Sequence, residues 1–543
     1  VEHLPLLIVI IPLGMAFLLA LADLAAPRAR GVVLAAGLAA QSASVFLLAR
    51  EVALRGLVLY TPGGWLPPRG ILLAADAGTV LLAGIVLSGF VAVSIFSLSS
   101  RGGSSLAGKF FPLLCLYTSA INGILVAADL FNLFVFLELA TVSTVGLIGM
   151  KGRPGNAAAA LTYLIMASFS SVLFLLALVV IYRATGTLSL PLAARVLPSL
   201  AGQTRAVLAV TLVVSLGIKI GLVPLHLWQA RAYQAAGSTA AGFLSACGMK
   251  VYLAALIRLL WGLLQAPLLV PALFPVLLWA GMINIILGHL MALFEGELKR
   301  FCAFSSVAHA GYIVLGLGAA GMASGSPGGA SLATAGIAAA LYHAVNHSAM
   351  KSALFWSCRS FMAGAGTTRI ADLSGRGGAA PLAFIAFLGA AAALIGLPPT
   401  GGFASKWQVA AVQPGLMPLL VIALGTVISL VYYTRIALIL AGPGKPAGLA
   451  HPRSSGGSGG SGGSGTLPKG ARPASPLRVP SAPGTVPAAV LVLILAGLAL
   501  STGVLEGWII PFLEEASRAF IATAPNLDAA LEAARAAARG GTP

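Results

Sequence analysis

Charge is what this sequence most lacks. Asp, Glu, Lys and Arg make up 8% of its 543 residues, where a water-soluble domain carries about 25%. Most of the rest is apolar, 59% by count, with a mean hydropathy of +0.98. A deficit spread along the whole chain makes lipid the solvent for most of its surface. Acids are scarcer still: 14 stand against 32 basic residues, for a formal charge of +18. That excess does not point to nucleic acid. The basic residues sit in short gaps between apolar runs, where Lys and Arg hold loops on the cytoplasmic side. Cysteine is also rare. Cys115, Cys247, Cys302 and Cys358 lie far apart in apolar stretches without CxxC spacing, which supports neither a zinc site nor an iron–sulfur cluster. They read as small buried hydrophobes. No cofactor motif is present, and the glycines near Ser454 lack the strand and the Gly-Lys-Ser/Thr of a phosphate cradle.

What is present is apolar length. Runs of about 18 to 25 residues recur between polar breaks, each long enough as helix to cross a core of about 30 Å. They lie near 4–22, 31–49, 77–98, 110–128, 130–150, 159–182, 206–230, 238–261, 268–293, 300–320, 332–358, 379–412, 416–441 and 484–508. The expectation is an all-α integral membrane protein of about 14 transmembrane helices. The run Leu4 to Leu21 lacks a basic leader and a small-residue cleavage site, so it reads as the first span. Charge orients the bundle. Odd-numbered loops hold Arg28, Arg30, Arg101, Lys109, Lys151, Arg153, Arg231, Lys299, Arg300, Arg359, Arg369 and Arg376; even-numbered loops hold Arg50, Arg55, Arg69, Arg183, Arg195 and Arg205. Odd loops then face the cytoplasm and the protein is a multi-pass component of the cell membrane. A Gly/Ser repeat, Ser454 to Gly465, followed by a Pro-rich stretch, marks a flexible linker over 442–483. Beyond the last span, in the tail 509–543, Asn526 to Arg539 reads as an amphipathic helix lying at the membrane interface.

Ionisable residues inside the spans carry the functional signal, because each costs roughly 2.5 kcal/mol or more at the bilayer centre. Glu138, Lys219, Lys250 and Lys406 interrupt apolar runs, and His343, His347 and Lys351 recur at four-residue steps, along one helical strip. Snorkelling or structural ion pairing is the bland alternative for any one lysine; five such charges in one chain favour an ion path. Pro224 follows Lys219, and Pro398 and Pro399 precede Lys406. Each proline breaks a helix and frees carbonyls one turn earlier: Ile220 in the first case, Leu394 and Ile395 in the second. Such backbone survives at membrane depth only inside protein or beside a wet cavity. One broken helix per half points to inverted repeats around a central path. His343-x-x-x-His347 lacks an intervening Glu and a third ligand, so a proton or water-wire role is favoured over a metal. His226, His289 and His309 fit core histidines, with His226 the best relay candidate because it lies two turns beyond Lys219.

These residues resemble a known family, the antiporter-like subunits shared by respiratory complex I, Mrp-type cation/proton antiporters and membrane-bound energy-converting hydrogenases. The resemblance covers roughly residues 60–441. Gly63-Gly64-Trp65 with Pro68 and Asp76 is similar to the loop leading into the family's third helix. Asp129-Leu-Phe-Asn-Leu-Phe-Val-Phe-Leu-Glu138 resembles its fifth-helix signature. Lys219 with Pro224-Leu-His226-Leu-Trp228 resembles the broken seventh helix, and Lys250 the eighth-helix relay lysine. Leu298-Lys-Arg300 through Ser305-Ser306 to Gly311-Tyr312 is similar to the start of the tenth helix. His343, His347 and Lys351 resemble the eleventh-helix strip, and Gly396-Leu-Pro-Pro with Gly402-Phe403 and Lys406 the broken twelfth. The sequence departs from the family at Arg231 and Ala236-Gly237-Ser238, where an acid or histidine and a Pro-rich turn are usual.

The resemblance implies helices 1–3 over residues 1–109, two inverted five-helix repeats over 110–261 and 268–441, and a hydrated midplane chain of charges. Glu138 and Lys219 would form a charge pair, Lys250 with histidines the bridge, and Lys406 the site toward the exit. It implies a proton-translocating subunit of a hydrogenase-like, complex I-like or Mrp-type Na+/H+ complex, with no redox or hydrolytic centre of its own. The implied partners are other membrane subunits, among them iron–sulfur, hydrogenase or quinone-reducing ones, and protons or Na+ as cargo. Two other readings stand beside it: a transport-inactive membrane scaffold, and a solitary transporter of a small solute.

The charge asymmetry makes a direct prediction. Single cysteines near Arg101 and Arg153 should label only from the cytoplasm, and those near Arg55 and Arg195 only from outside; labelling of both sets from one side would overturn the span count.

Overall fold

The computed structural model describes residues 3–99, 107–269, 273–443 and 486–540. Arg101 and the linker repeat Ser454 to Gly465 lie outside the described residues. Eleven described helices are long and apolar enough to cross a membrane, or twelve if the bent pair Leu491–Ser501 and Glu506–Ile521 counts as one span. The two remaining expected segments are helical as well. Gly329–Ala365 runs for 37 residues, its apolarity diluted by His343, His347 and Lys351, and the segment expected over 379–412 is split into Pro381–Ile395 and Gly401–Ala411.

Both breaks use one local device. Gly202–Ile220 ends at Gly221 and Pro381–Ile395 at Gly396, each glycine in the left-handed region, at φ 87° and 86°. A side chain with a Cβ is strained there, so glycine closes each half-helix. The surrounding words match: Ile220-Gly-Leu-Val-Pro224 and Ile395-Gly-Leu-Pro-Pro399. The chain then resumes as Leu227–Ala235 in the first half and as Gly401–Ala411 in the second, the latter capped by the Thr400 hydroxyl, which accepts from the Phe403 N–H at 3.2 Å.

Burial separates centre from rim. The apolar core of Ser238–Leu263 is wholly buried, while that of Pro27–Arg55 turns most of its surface outward. Phe274–Phe294 packs on Leu298–Ser324 through small residues. A Cβ on Gly288 would come within 2.5 Å of the Ala308 nitrogen, and one on Gly311 within 2.7 Å of the Gly281 oxygen. Small residues allow this backbone approach in lipid, where packing rather than the hydrophobic effect joins helices. The approach puts the His289 and His309 rings 6.0 Å apart.

Two elements have no counterpart in the sequence reading. Val58–Tyr60 pairs antiparallel with Leu73–Ala75, Leu59 opposite Ala74, and the Gly63-Gly64-Trp65 loop lies between them. The tail also differs: Glu506–Ile521 is bent by 86° from the preceding helix, and Thr523–Gly540 follows it. The amphipathic face expected at the lipid interface is covered by protein. Leu527 and Leu531 are buried against the bundle. Arg195 holds Asp528 at 2.6 Å and Glu532 at 2.5 Å, and Arg535 donates to the Pro67 carbonyl at 2.7 Å. An apolar stripe reads the same in sequence whether lipid or protein covers it.

Magnitudes decide what holds this tail. Exposed ion pairs contribute about 0–1 kcal/mol, whereas truncating a buried leucine costs about 2–5 kcal/mol. Leu531→Ala should therefore speed amide hydrogen exchange across Thr523–Gly540 far more than Arg195→Ala does; the reverse order would assign the anchoring to charge.

Candidate functional site

The second broken span delivers Lys406 to the carbonyls its break sets free. The ammonium donates to Leu394 O at 3.0 Å and Ile395 O at 2.9 Å. It also lies 4.7 Å from the centroid of the Tyr312 ring, a cation–π distance. Those two carbonyls have no helical partner beyond the turn at Gly396, so the lysine completes the backbone bonding that lipid cannot.

Next to it runs a line of histidines. His343 Nδ1 is 3.0 Å from Ser405 Oγ, and His343 Nε2 is 3.0 Å from His309 Nδ1. The His309 and His347 rings lie 5.2 Å apart, with the Nε2 of each buried and unpartnered. His347 Nδ1 is 2.6 Å from Lys250 Nζ, which also donates to Ser245 O at 2.7 Å. Lys250 follows a π-helical stretch, Leu244–Gly248, where the widened turn brings the Ser245 carbonyl into reach. Lys351 completes the strip with a bond to Cys302 O at 3.1 Å. His289 branches off, between Tyr432 OH at 2.9 Å and Tyr312 OH at 3.2 Å. Lys250, His347, His309, His343, Ser405 and Lys406 thus form one nearly continuous polar axis through the buried centre. A neutral imidazole has one donor and one acceptor nitrogen, so such a line can hand a proton along by successive transfers.

The first half is arranged differently. Asp129 caps Leu130–Gly149 by accepting from the Asn132 N–H at 2.9 Å. Burial raises its carboxyl above the usual range, and the backbone donors at Asn132 and Phe131 offset part of that. Glu138, half-buried on this helix, accepts the Ser171 hydroxyl. Lys219 donates to Thr141 Oγ1 at 2.7 Å, one turn along the same helix from Glu138. No direct ion pair joins Glu138 and Lys219 among the described residues, so the expected charge pair is a shared helix face rather than a contact. The first break takes partners other than its lysine: Trp228 Nε1 donates to Ile218 O at 2.8 Å, and Asn284 Oδ1 accepts from the Val223 N–H at 2.8 Å, while the Ile220 carbonyl expected to be freed receives no side-chain hydrogen bond among the described residues. His226 is buried with its Nδ1 unpartnered and makes no hydrogen bond to Lys219. Among the described residues no hydrogen bond links Lys219 to Lys250.

Several of these residues are poorly marked in the sequence. His309 reads there as a core histidine, yet it stands at the middle of the axis. Arg258 belongs to none of the motifs. It opens a second π-helical stretch, Arg258–Leu263, and pairs with Asp76 at 3.0 Å. It also donates to Thr79 Oγ1 at 2.6 Å and to the Leu125 carbonyl, and stacks over Phe520 at 5.3 Å. A lone arginine near the end of an apolar run is the available signal. Among the described residues, no group of three or more His, Cys, Asp or Glu is placed to hold a metal ion.

Comparison with known proteins agrees with this architecture. The family described as NADH:quinone oxidoreductase/Mrp antiporter, TM, matches residues 127–431. NADH-quinone oxidoreductase subunit N of Desulforudis audaxviator is 35% identical over 448 residues, covering 80% of this chain and 85% of that protein. A subunit of the Na(+)/H(+) antiporter of Alkalihalophilus pseudofirmus is 29% identical over 367 residues, covering 67% and 71%. In fold, the chain resembles one in the membrane-bound sulfane sulfur reductase, an archaeal respiratory membrane complex, with a TM-score of 0.79 at 23% identity over 96% of this chain and 98% of that one.

The Asp76–Arg258 pair gives a stability prediction. Removing one partner leaves the other charge buried and alone, at a cost of roughly 3–5 kcal/mol, whereas apolar replacement of both is often close to neutral. Asp76→Ala should lower the thermal midpoint in detergent sharply, and Asp76→Ala with Arg258→Met should recover much of the loss. Equal damage in both proteins would show that the pair does more than balance charge.

Proposed function

The chain belongs to the NADH:quinone oxidoreductase/Mrp antiporter membrane-subunit family, and from that premise we propose that it moves protons along the Lys250-to-Lys406 axis as one subunit of a multisubunit energy-converting complex. The observation that carries the reading is the succession of proton-exchanging groups from Lys250 through His347, His309 and His343 to Ser405, hydrogen-bonded at every step except the 5.2 Å ring contact of His347 with His309 and ending beside Lys406 in the chain. The relatives whose names denote subunits of NADH-quinone oxidoreductase and of an Na(+)/H(+) antiporter support assembly with partners. Any electron transfer then belongs to those partners.

The mechanism is electrostatic. Glu138 and Thr141 stand one turn apart on Leu130–Gly149, Glu138 accepting the Ser171 hydroxyl and Thr141 accepting from Lys219. A change of field that draws Lys219 from Thr141 toward Glu138 favours the charged form of both. Withdrawal of that positive charge from the centre lowers the cost of a proton on Lys250, and the histidine line passes it to Lys406. Lys406 is held by two carbonyls and an aromatic face, so it keeps a charge until the exit side draws it off. Interacting sites of this kind titrate as a unit.

Glu138→Gln and Lys219→Ala should each reduce ion movement by the whole complex in proteoliposomes roughly tenfold or more. Insertion should be unharmed, because removing an intramembrane charge makes it easier. The double variant should be about as impaired as either single one, since members of one relay do not add. Near-normal transport in an assembled Lys219→Ala complex would return that lysine to a structural role and favour the scaffold reading. Iron and nickel in the gently purified complex would mark a redox-driven machine; small membrane subunits alone would mark a cation/proton antiporter.

A further inference from the structure

A cavity of about 560 Å³ opens at one end of the bundle, remote from the histidine line and lined by residues at the ends of five helices or the loops joining them. Three of its walls are cationic: Lys151, Lys299 and Arg359. Among the described residues no carboxylate lines it. Glu297 accepts the hydroxyl of Thr368, which lines the cavity, and its charge acts on Lys299, while among the described residues no carboxylate pairs with Lys151 or Arg359. Phe110, Phe111, Met150 and Met362 form an apolar side, and Ser97, Ser238, Thr239, Thr367 and Thr368 add hydroxyls to the rest of the lining.

The three cations are not equally occupied. Lys299 donates to the Gln234 carbonyl and to Ala236 O at 3.0 Å. Arg359 donates to Thr239 Oγ1 at 3.0 Å and stacks over Phe96 at 5.6 Å. Lys151 has neither a hydrogen bond nor an ion pair among the described residues, although it is only half exposed. Burial, with the like charges of Arg153 and Arg359, pulls its ammonium below the usual range. Like charges gathered in a poorly solvated recess repel one another, and a fixed negative group between them relieves that repulsion.

We propose that this cavity seats the phosphate of an anionic glycerophospholipid, held by Lys151 and Arg359 with its first acyl carbons along Phe110, Phe111 and Met362. The depth suits a lipid better than a free ion. Helix ends meet the headgroup layer at this level, and the site joins a basic recess directly to an apolar wall, as an amphiphile requires. Arg supplies a planar fork for phosphate oxygens and Lys a point charge. The proposal is independent of the proton-relay reading, because none of these residues belongs to the axis.

Native mass spectrometry of the purified full chain, exchanged with phosphatidylglycerol or phosphatidylcholine, tests it. The wild type should retain phosphatidylglycerol in preference. Lys151→Gln with Arg359→Gln should weaken that retention roughly thirtyfold, at about fivefold per basic contact with an anionic headgroup. Arg435→Gln, which removes one positive charge from an exposed residue outside the cavity as Lys151→Gln does from within it, should leave it unchanged. Lys151→Gln alone removes an unbonded side chain, so it keeps the fold and should lose about fivefold. Unchanged preference in the double variant would overturn the proposal. So would displacement of the lipid by inorganic phosphate, which would mark a small-anion site. Release of the lipid on assembly of the whole complex would overturn it too, assigning the recess to an acidic partner segment instead.

Discussion

Inside a bilayer no water completes the bonding of a charge or a free carbonyl, and this constraint arranges everything at the centre of the protein. Two helices are broken at membrane depth, so their freed backbone groups need partners from within the chain. In the second half Lys406 supplies them, and the break in turn supplies the lysine with acceptors. In the first half Trp228 and Asn284 bind the broken backbone. The lysine of that half is thereby left free to bond elsewhere, and it turns to the helix that carries Glu138.

This division separates two jobs within one repeated turn. Ile-Gly-Leu-x-Pro occurs in both halves, but Lys219 lies before the first break and Lys406 after the second. A lysine bound by one hydroxyl is easily drawn to a nearby acid; one bound by two carbonyls over an aromatic face is a fixed station. The π-helical stretches serve the same economy of bonding. Each opens one turn of Ser238–Leu263 next to a charge, Lys250 in one case and Arg258 in the other, on a helix with no access to lipid headgroups along its buried core.

The fold is legible in the sequence because lipid imposes long apolar runs and punishes every charge within them. The runs, the glycine and proline breaks, and the strip of His343, His347 and Lys351 can all be read from spacing. The carbonyls of Leu394 and Ile395 are likewise expected to be freed by the second break, and they are the ones Lys406 occupies. What spacing cannot supply is which helices touch. His309 and His347 lie on different helices, and their rings meet only in the packed bundle, where Gly336 lets the helix of His347 close on that of His309 at Ala320. For the same reason the Asp76–Arg258 pair, separated by most of the first repeat, leaves no local trace. The tail is obscure in another way: an amphipathic stripe records that one face is covered and not by what. Four-residue steps bring side chains together within a helix; between helices only the packed structure does.

His309 is hydrogen-bonded to His343 and stands closer to His347 than His343 does, at 5.2 Å against 6.5 Å between ring centroids, so a cut there tests the proposed path most directly. His309→Phe keeps a ring of similar shape and removes both nitrogens. Ion movement by the complex assembled with this variant, measured in proteoliposomes beside wild type, should fall roughly tenfold or more while subunit content and thermal stability stay close to wild type. Wild-type rates in a fully assembled His309→Phe complex would contradict conduction along the histidine line.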